Sequence, residues 1–546
     1  MDAAALLAEV TTVGCAGLYA NLHALYPNLP RSLANRLGIS ADAVCHQRGE
    51  GGDGAQALTN LMASRVARGA EGADGVVLIS RGLTVDSQRK FVQQNADQAD
   101  DLLAAWADDP ESGEPERSGV PPQPYFVSAE ERRHGLSAPI HVYPLIETAL
   151  RAKYGTDFAT HHQSVSDLMA SFSEVAASGA ERQYAWLPTE RTAEEIGTPT
   201  ATNRWVGYPY TKYMCANDNV DGGASWLLCS VRTAKRLGVE RSRWVYLLSG
   251  AQCHEGSDDK WFVSGREDLT AQPAMRSSIT NCLVRHRCPG VFRSSVVPDL
   301  ELLAACCRQE AAELESFDVD LFDLYSCFPC MVQIAADHLD VPHDDQRRLT
   351  ITGGLPFAGQ MSSTHCIPAM VERIRQRPYS EVIGLVTGNG GFGTKHSAGL
   401  YSSHPKEYGV ADAEDFFYEP DDDGDHEVAT LQPAVDALPA AAVDTAPAGR
   451  GAIETFTICH DRTNTPTHAV VFARLEGSGE RCIAWVRGGT VQPPGAAEPV
   501  DVWAFMMDPS HEVVGMVGEV SSGADEKTPN EFVFDGMDLG APQLVD

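Results

Sequence analysis

The stretch from Leu349 to His396 is the part of the chain that most constrains its fold. A β-branched run reaches Gly353-Gly354, a segment of helical length follows, and a buried-strand pattern at 382–387 ends in a glycine-rich run at 388–391. This order predicts strand, glycine turn, helix, strand and a second glycine turn. Because ligands of parallel α/β proteins bind at the carboxyl ends of strands, we expect both turns to border a functional site.

A weaker copy of the same pattern lies near the start of the chain. Gly51-Gly52 precedes a segment with apolar residues at helical spacing, and a buried-strand pattern follows at 76–80. The shared order predicts two similar α/β halves, at 1–239 and 240–410, although any two strand–helix–strand units share that order. Between about 84 and 204 the pattern changes and becomes partly acidic and Pro-rich, which predicts a loop domain inserted in the first half.

The last quarter of the chain has a different composition. Residues 411–450 are acidic and then rich in Pro and Ala, which is typical of a solvated linker. Residues 451–546 are predicted to form a small all-β domain, a barrel or a sandwich, for which an oligonucleotide-binding-type (OB-like) barrel is one candidate. Its strands are expected at 452–459, 468–475, 481–486, 501–507 and 513–520.

Charge and cysteine usage limit the classes of function. The formal net charge of −33 argues against non-specific binding to nucleic acid or to an anionic membrane, and no apolar run is long enough for a membrane span. The amino terminus lacks the basic region of a secretory signal, so we expect a cytoplasmic protein whose 14 cysteines are reduced. The pair Cys327 and Cys330 lacks a second pair at metal spacing, so no metal site is expected and a structural role is favoured.

Four segments carry a resemblance to a known family. They read ATNRWVGYPYTKYMCANDNVDGGASWLLCS at 201–230, DLYSCFPC at 323–330, TGGLPFAG at 352–359 and TGNGGFGTKHSAGLYSS at 387–403. These segments resemble the thiolase superfamily, and within it the thiolase-like protein type 1 branch, which is related to the sterol-carrier-protein thiolases. The resemblance implies a duplicated, five-layered (αβαβα) fold with an inserted loop domain, a β-rich C-terminal addition, and acyl-coenzyme A chemistry of the acetyl-CoA acetyltransferase kind.

The same resemblance predicts that the usual catalytic residues are replaced. The family places a nucleophilic cysteine at a helix amino terminus, where the chain has Gly51-Gly52-Asp53-Gly54. Gly359-Gln360-Met361 stands where the family has Gly-His-Pro, and Thr387 stands where it has an acid/base cysteine. Claisen chemistry needs a nucleophile, a base and an oxyanion hole together, so ordinary thiolase activity is not expected.

A further departure concerns the start of the chain. The family begins with a strand and a helix ahead of the region that resembles 9–14. We therefore expect either a gene start placed too late or another element in the position of the first strand.

Several polar groups remain at the predicted strand ends. Cys327, with His365 or His396 as base, is the candidate for a rearranged catalytic site. The candidate substrate-binding residues are Tyr325, Ser326, Gln360, Thr387, Asn389 and Gly390.

These residues leave three functions open. The first is binding of an acyl-coenzyme A or a related thioester without ordinary turnover; no tightly bound cofactor is expected, and the coenzyme A thioester is then the ligand. The second is acyl transfer by the rearranged Cys–His site. The third is a non-catalytic subunit or scaffold that binds a partner protein through its β domain.

Overall fold

The computed structural model describes residues 3–17, 28–49, 51–67, 69, 75–95, 113–119, 127–256, 258–287, 319–342, 345, 347–359, 364–377, 380–405, 432–492 and 498–538. The strands are β1 (Val10–Ala16), β2 (Val44–Arg48), β3 (Val76–Thr84), β4 (Glu116–Ser118), β5 (Trp205–Tyr208), β6 (Tyr210–Thr211), β7 (Asp221–Cys229), β8 (Tyr246–His254), β9 (Leu321–Asp323), β10 (Ile383–Gly390), β11 (Lys395–Ser402), β12 (Ala448–His460), β13 (Pro466–Leu475), β14 (Arg481–Val486), β15 (Thr490–Val491), β16 (Val500–Asp501), β17 (Val517–Ser521), β18 (Glu531–Phe534) and β19 (Met537–Asp538). The helices are α1 (Ala3–Leu7), α2 (Leu29–Leu37), α3 (Gly54–Ala67), α4 (Val85–Gln94), α5 (Ala129–Arg133), α6 (Pro139–Tyr154), α7 (Phe158–Ala177), α8 (Ala193–Gly197), α9 (Val231–Arg236), α10 (Pro273–Arg287), α11 (Pro329–His338), α12 (Gly354–Ala358), α13 (Cys366–Arg375), α14 (Gln432–Asp436) and α15 (Val502–Met507).

Two mixed sheets form the body of the molecule. The first has the strand order β4-β2-β1-β3-β7, with β1 parallel to both of its neighbours. The second has the order β8-β11-β10-β9, in which β9 and β10 are parallel and the other pairs antiparallel. Since β1 is paired on both edges, the described part of the first sheet shows no gap beside it.

Helices α3 and α13 lie between the sheets and contact strands of both. Helix α3 is buried around most of its circumference, so its polar residues need partners inside the protein. The Asn60 amide supplies them by donating to the carbonyls of Ala251 and Ala398, on β8 and β11, at 3.1 Å each. With α2 on the first sheet and α10 on the second, the layers alternate as the predicted αβαβα fold requires, and that fold is confirmed.

The C-terminal strands close into a barrel. The strands pair in the order β12-β13-β14-β18-β17 and β17 returns to β12; β14 and β18 are parallel and the other pairs antiparallel. Apolar residues of these strands and of α15 form a separate core cluster inside it. The barrel packs against α6 and pairs its β12 with β5, so it rests on the predicted loop domain.

Three details of the predicted secondary structure were wrong. Residues 349–352 form a turn instead of a strand, and the glycine-rich run at 388–390 lies inside β10, so that the turn comes at 391–394. Residues 502–507 form a helix because Asp501 caps its amino end by accepting from the Ala504 amide at 2.8 Å. Within the predicted linker, the described residues 432–450 contact the body, since the Lys260 ammonium group donates to the Leu438 carbonyl at 2.9 Å.

Among the described residues, no helix is both long and apolar enough to cross a membrane.

Candidate functional site

The amino end of α3 faces the carboxyl end of β10, and the two meet at glycines. A β-carbon built on Gly52 would lie 2.0 Å from the Asn389 carbonyl oxygen and 2.2 Å from the Tyr325 hydroxyl oxygen. One on Gly390 would lie 2.8 Å from the Gly52 nitrogen. Real β-carbons essentially never come within 3.0 Å of another heavy atom, so these segments touch only because both positions are glycine.

The loop after β9 brings the next three candidates into the same region. The Tyr325 amide donates to the Thr387 hydroxyl at 2.8 Å, which ties this loop to β10. The Ser326 hydroxyl accepts from the Leu355 amide at 3.0 Å and so holds the start of α12. The hydroxyl groups of Thr387 and Ser326 therefore have structural hydrogen bonds in this state.

Cys327 is buried among polar partners. The Asn389 side-chain amide lies 3.6 Å from the Cys327 sulfur and 3.4 Å from the Tyr143 hydroxyl oxygen. Burial raises the pKa of the Cys327 thiol to about 12, although hydrogen bonds from Tyr143 and Asn389 act in the opposite direction. The thiol is therefore protonated at neutral pH and is a weak nucleophile in this environment.

Neither candidate histidine is hydrogen-bonded to Cys327 in the described part of the chain. The His365 ring nitrogen Nε2 lies 3.4 Å from Glu181 Oε2, and the ring packs against Tyr184 at 5.1 Å between centroids. His396 is buried, its Nε2 lies 3.0 Å from the Gly393 carbonyl oxygen, and burial lowers its pKa to about 3.

Gln360 lies outside the described residues, so its predicted role stays a prediction. The site places Tyr325, Cys327, Asn389 and Gly390 close together, whereas the partners of His365 belong to the loop domain.

Comparisons with known proteins agree with this fold. A protein-family model described as the thiolase-like protein type 1 additional C-terminal domain matches residues 430–521. A crystal structure of a monomeric SCP2-thiolase like protein type 1 from Mycobacterium smegmatis is similar to the whole chain, with a TM-score of 0.68 and 28% sequence identity over 98% of this chain and 91% of that one. The chain has the fold of the thiolase superfamily and is similar over its whole length to a thiolase-like protein type 1.

Other solved structures are similar to this chain over a smaller share of its length. An acetyl-CoA acetyltransferase from Syntrophomonas wolfei has 13% identity and a TM-score of 0.45, covering 73% of this chain and 88% of that one. The dimeric peroxisomal thiolase of Saccharomyces cerevisiae has 14% identity and a TM-score of 0.44, covering 73% and 86%. No curated protein matches the sequence.

Charged residues that sequence analysis did not single out surround the amino end of α3 in this thiolase-like protein. The Arg81 guanidinium donates to the Gly51 carbonyl at 2.9 Å, and Arg48 lies 3.8 Å from the Asp53 carboxylate. A β-carbon on Gly51 would meet the Asp53 carboxylate at 2.1 Å and the Lys395 ammonium at 3.0 Å. The available signal was a charged residue at a strand end, as at Arg48, the last residue of β2, and Lys395, the first residue of β11.

A second missed residue, Asp323, shapes the first glycine turn. Its buried carboxylate oxygen Oδ2 accepts from the amides of Ile351 and Thr352 at 3.0 and 3.1 Å and from the Thr352 hydroxyl at 2.9 Å. These bonds replace the strand pairing that the β-branched run predicted, and they aim the turn at Ser326.

Proposed function

We propose that this protein binds an acyl-coenzyme A or a related thioester and does not carry out the covalent chemistry of thiolases. One observation carries the proposal: the stretch that the family resemblance assigns to the nucleophile is Gly51-Gly52-Asp53-Gly54, and within it the Gly52 position is closed by Tyr325 and Asn389. A cysteine side chain has no space there, so the helix dipole of α3 has no thiol to activate.

The Cys327 thiol does not take the place of the missing nucleophile in this environment. Attack on a thioester needs a thiolate, a base that takes its proton and donors for the oxyanion. The raised pKa of Cys327 opposes the first requirement, and the two histidines contact Glu181 and the Gly393 carbonyl instead of Cys327. Binding without turnover is the function that is left.

The arrangement of donors supports a polarised carbonyl ligand. The amino end of a 14-residue helix points its amides toward the junction with β10, and Arg48, Arg81 and Lys395 add positive charge around it. This electrostatic environment favours a partly negative oxygen such as that of a thioester carbonyl.

Titration calorimetry with coenzyme A, acetyl-CoA and acetoacetyl-CoA tests the binding, and loss of acetoacetyl-CoA in the presence of free coenzyme A tests thiolysis. We expect a measurable Kd for at least one thioester and no thiolysis. Thiolysis at thiolase-like rates would refute the proposal, and so would the absence of heat with all three compounds.

Acyl transfer by a rearranged site is the second candidate, because Cys327 precedes the amino end of α11 and its sulfur lies near the Asn389 amide. Cys327→Ala abolishes any acyl transfer if this candidate is right. Cys229→Ala, at a half-buried cysteine on β7, is the matched control and leaves activity unchanged. Activity that survives Cys327→Ala excludes Cys327 as the nucleophile.

The barrel supports a third candidate, a scaffold that binds a partner protein. Its strand order, with the third and fifth strands parallel and α15 before the fourth, supports the OB-like interpretation. We propose that a cytoplasmic partner, in a pathway of lipid metabolism, binds the barrel. A pull-down with the full chain and with Arg487→Glu, which reverses a half-exposed barrel charge, tests this surface.

A further inference from the structure

The segment 263–267 is a junction of three parts of the molecule, and we call it the junction segment. From the loop domain, the buried Glu131 carboxylate accepts from the Ser264 amide at 2.7 Å. From the region before the barrel, the Ala441 amide donates to the Gly265 carbonyl at 2.9 Å. A short segment held from two sides in this way has little freedom to shift.

Arg481, the first residue of barrel strand β14, binds the junction segment most extensively. Its side chain is fully buried, and its guanidinium donates to the carbonyls of Ser264 at 2.7 Å and Arg266 at 2.5 Å. The same guanidinium makes two charge-assisted bonds to the Glu454 carboxylate on β12, at 2.6 and 2.7 Å. The barrel wall therefore orients the arginine that holds the junction segment.

Arg266 continues the connection toward the candidate site. Its buried guanidinium donates to the Phe392 carbonyl at 2.9 Å and lies against Gly393, where an added β-carbon would meet it at 3.2 Å. Phe392 and Gly393 form the turn between β10 and β11, and both have positive φ, at 57° and 74°. A turn that includes a non-glycine residue in this conformation needs support from its surroundings.

The turn at 391–394 contacts the residues around Cys327. The Phe392 ring meets Tyr143 edge-on at 6.3 Å, and Tyr143 stacks on Phe328 at 4.3 Å between centroids. Asn389, which lies near Cys327 and Tyr143, is on the strand that enters the turn. A shift of the turn would therefore displace Asn389 and Tyr143 together.

We infer that Arg266 and Arg481 are positioning residues through which the C-terminal barrel fixes the turn at 391–394 and thereby the candidate site. The inference goes beyond the proposed function and holds whether or not a thioester binds. It assigns the barrel a role in shaping the site of the thiolase fold.

Hydrogen exchange of the intact chain tests this inference without a ligand. In Arg481→Met and in Arg266→Met we expect amides at 390–396 to exchange about tenfold faster or more, with β3 unchanged. Arg450→Met is the matched control, because Arg450 is a half-exposed barrel arginine that pairs with Asp535 on the surface. It should leave the exchange at 390–396 as in the wild type.

A double variant distinguishes a shared connection from two local effects. If both arginines act through the junction segment, Arg266→Met combined with Arg481→Met exchanges at 390–396 no faster than the stronger single variant. Multiplied effects, or unchanged exchange in folded Arg481→Met, would overturn the inference. If a methionine variant fails to fold, Arg481→Lys and Arg266→Lys replace it, and exchange at 390–396 equal to the wild type in both would also overturn it.

A failed calorimetric titration combined with faster exchange at 390–396 would remove the proposed function and leave this inference intact. Measurable thioester binding combined with unchanged exchange at 390–396 would support the proposed function and overturn this inference.

Discussion

At the scale of single residues, the proposed absence of thiolase chemistry rests on Gly52. A helix amino terminus lowers the pKa of a thiol placed on it, and that advantage is available only where a side chain fits. Here the Tyr325 hydroxyl and the Asn389 carbonyl occupy the space, and one of them is backbone, which cannot rotate away. Restoring a cysteine at one position therefore does not restore a thiolase.

Gly52→Cys is expected to lower the free energy of unfolding by about 3 kcal/mol, because the added atoms overlap a backbone carbonyl. It should gain no thiolysis activity. Gly477→Cys introduces the same residue where nothing lies within 4 Å of the added β-carbon, and it should leave stability nearly unchanged. Denaturant unfolding of both variants measures the difference, and equal stability of the two would show that the site is open.

Cys327 provides a second test at this scale. With a pKa of about 12 the thiolate is scarce at pH 8, so alkylation of Cys327 should be about a thousandfold slower in the folded protein than in urea. Peptide mass spectrometry after timed iodoacetamide labelling gives both rates. A folded rate equal to the unfolded one would favour the rearranged Cys–His site instead.

At the scale of elements, the local sequence pattern predicted strands correctly where burial determines them. It was wrong where a distant partner determines the backbone conformation. The strand at 481–486 was predicted with its observed bounds, because alternation and turn residues define it locally. The run at 349–352 has the same β-branched character, yet Asp323 on another strand takes its amides. For α15, by contrast, the signal was present in the sequence: Val502, Phe505 and Met506 have helical spacing and are the buried residues.

For the candidate site too, the features set by local sequence were predictable and those set by tertiary packing were not. Because strand ends are readable from the sequence, the proximity of Tyr325, Cys327 and Asn389 to one another was predictable. The direction of each side chain and the partner of His365 depend on how the loop domain packs, which no local pattern specifies.

Asp323→Ala tests the control of a turn by a distant carboxylate. It leaves the buried amides of Ile351 and Thr352 without an acceptor, so we expect a loss of about 3 kcal/mol in the free energy of unfolding. Asp461→Ala removes a carboxylate that also accepts from turn amides but is exposed, and should cost less than about 1 kcal/mol. Denaturant unfolding measures the free energy of unfolding of both variants. Equal losses in the two would show that Asp323 does not hold the turn more strongly than an exposed carboxylate does.

At the scale of the whole molecule, the barrel is an integral part of the packed structure. Besides the pairing of β12 with β5, Arg151 on α6 makes a two-bond ion pair with Glu512, at 2.6 Å for each bond. His134, which follows α5, is fully buried at the same boundary. Its Nδ1 lies 2.8 Å from the Glu130 carbonyl oxygen, and its Nε2 accepts from the Asn530 amide at 2.9 Å. Only the neutral ring can make both bonds, because an imidazolium has no acceptor.

Acid should therefore loosen the barrel through His134. Burial lowers the pKa of His134 to about 4, whereas an unfolded histidine titrates near 6.5. The unfolded state binds the extra proton first as pH falls, so the stabilisation is complete above about pH 6.5 and is lost progressively down to about pH 4, by about 3 kcal/mol. His134→Gln should flatten that part of the dependence of the unfolding free energy on pH, whereas His404→Gln, at an exposed histidine, should leave it unchanged. Urea unfolding at pH 7.5 and pH 5 measures the slope. If His134→Gln keeps the wild-type slope, the acid sensitivity of the molecule comes from other histidines, such as the half-buried His338 and His468, whose pKa values are also lowered to about 4.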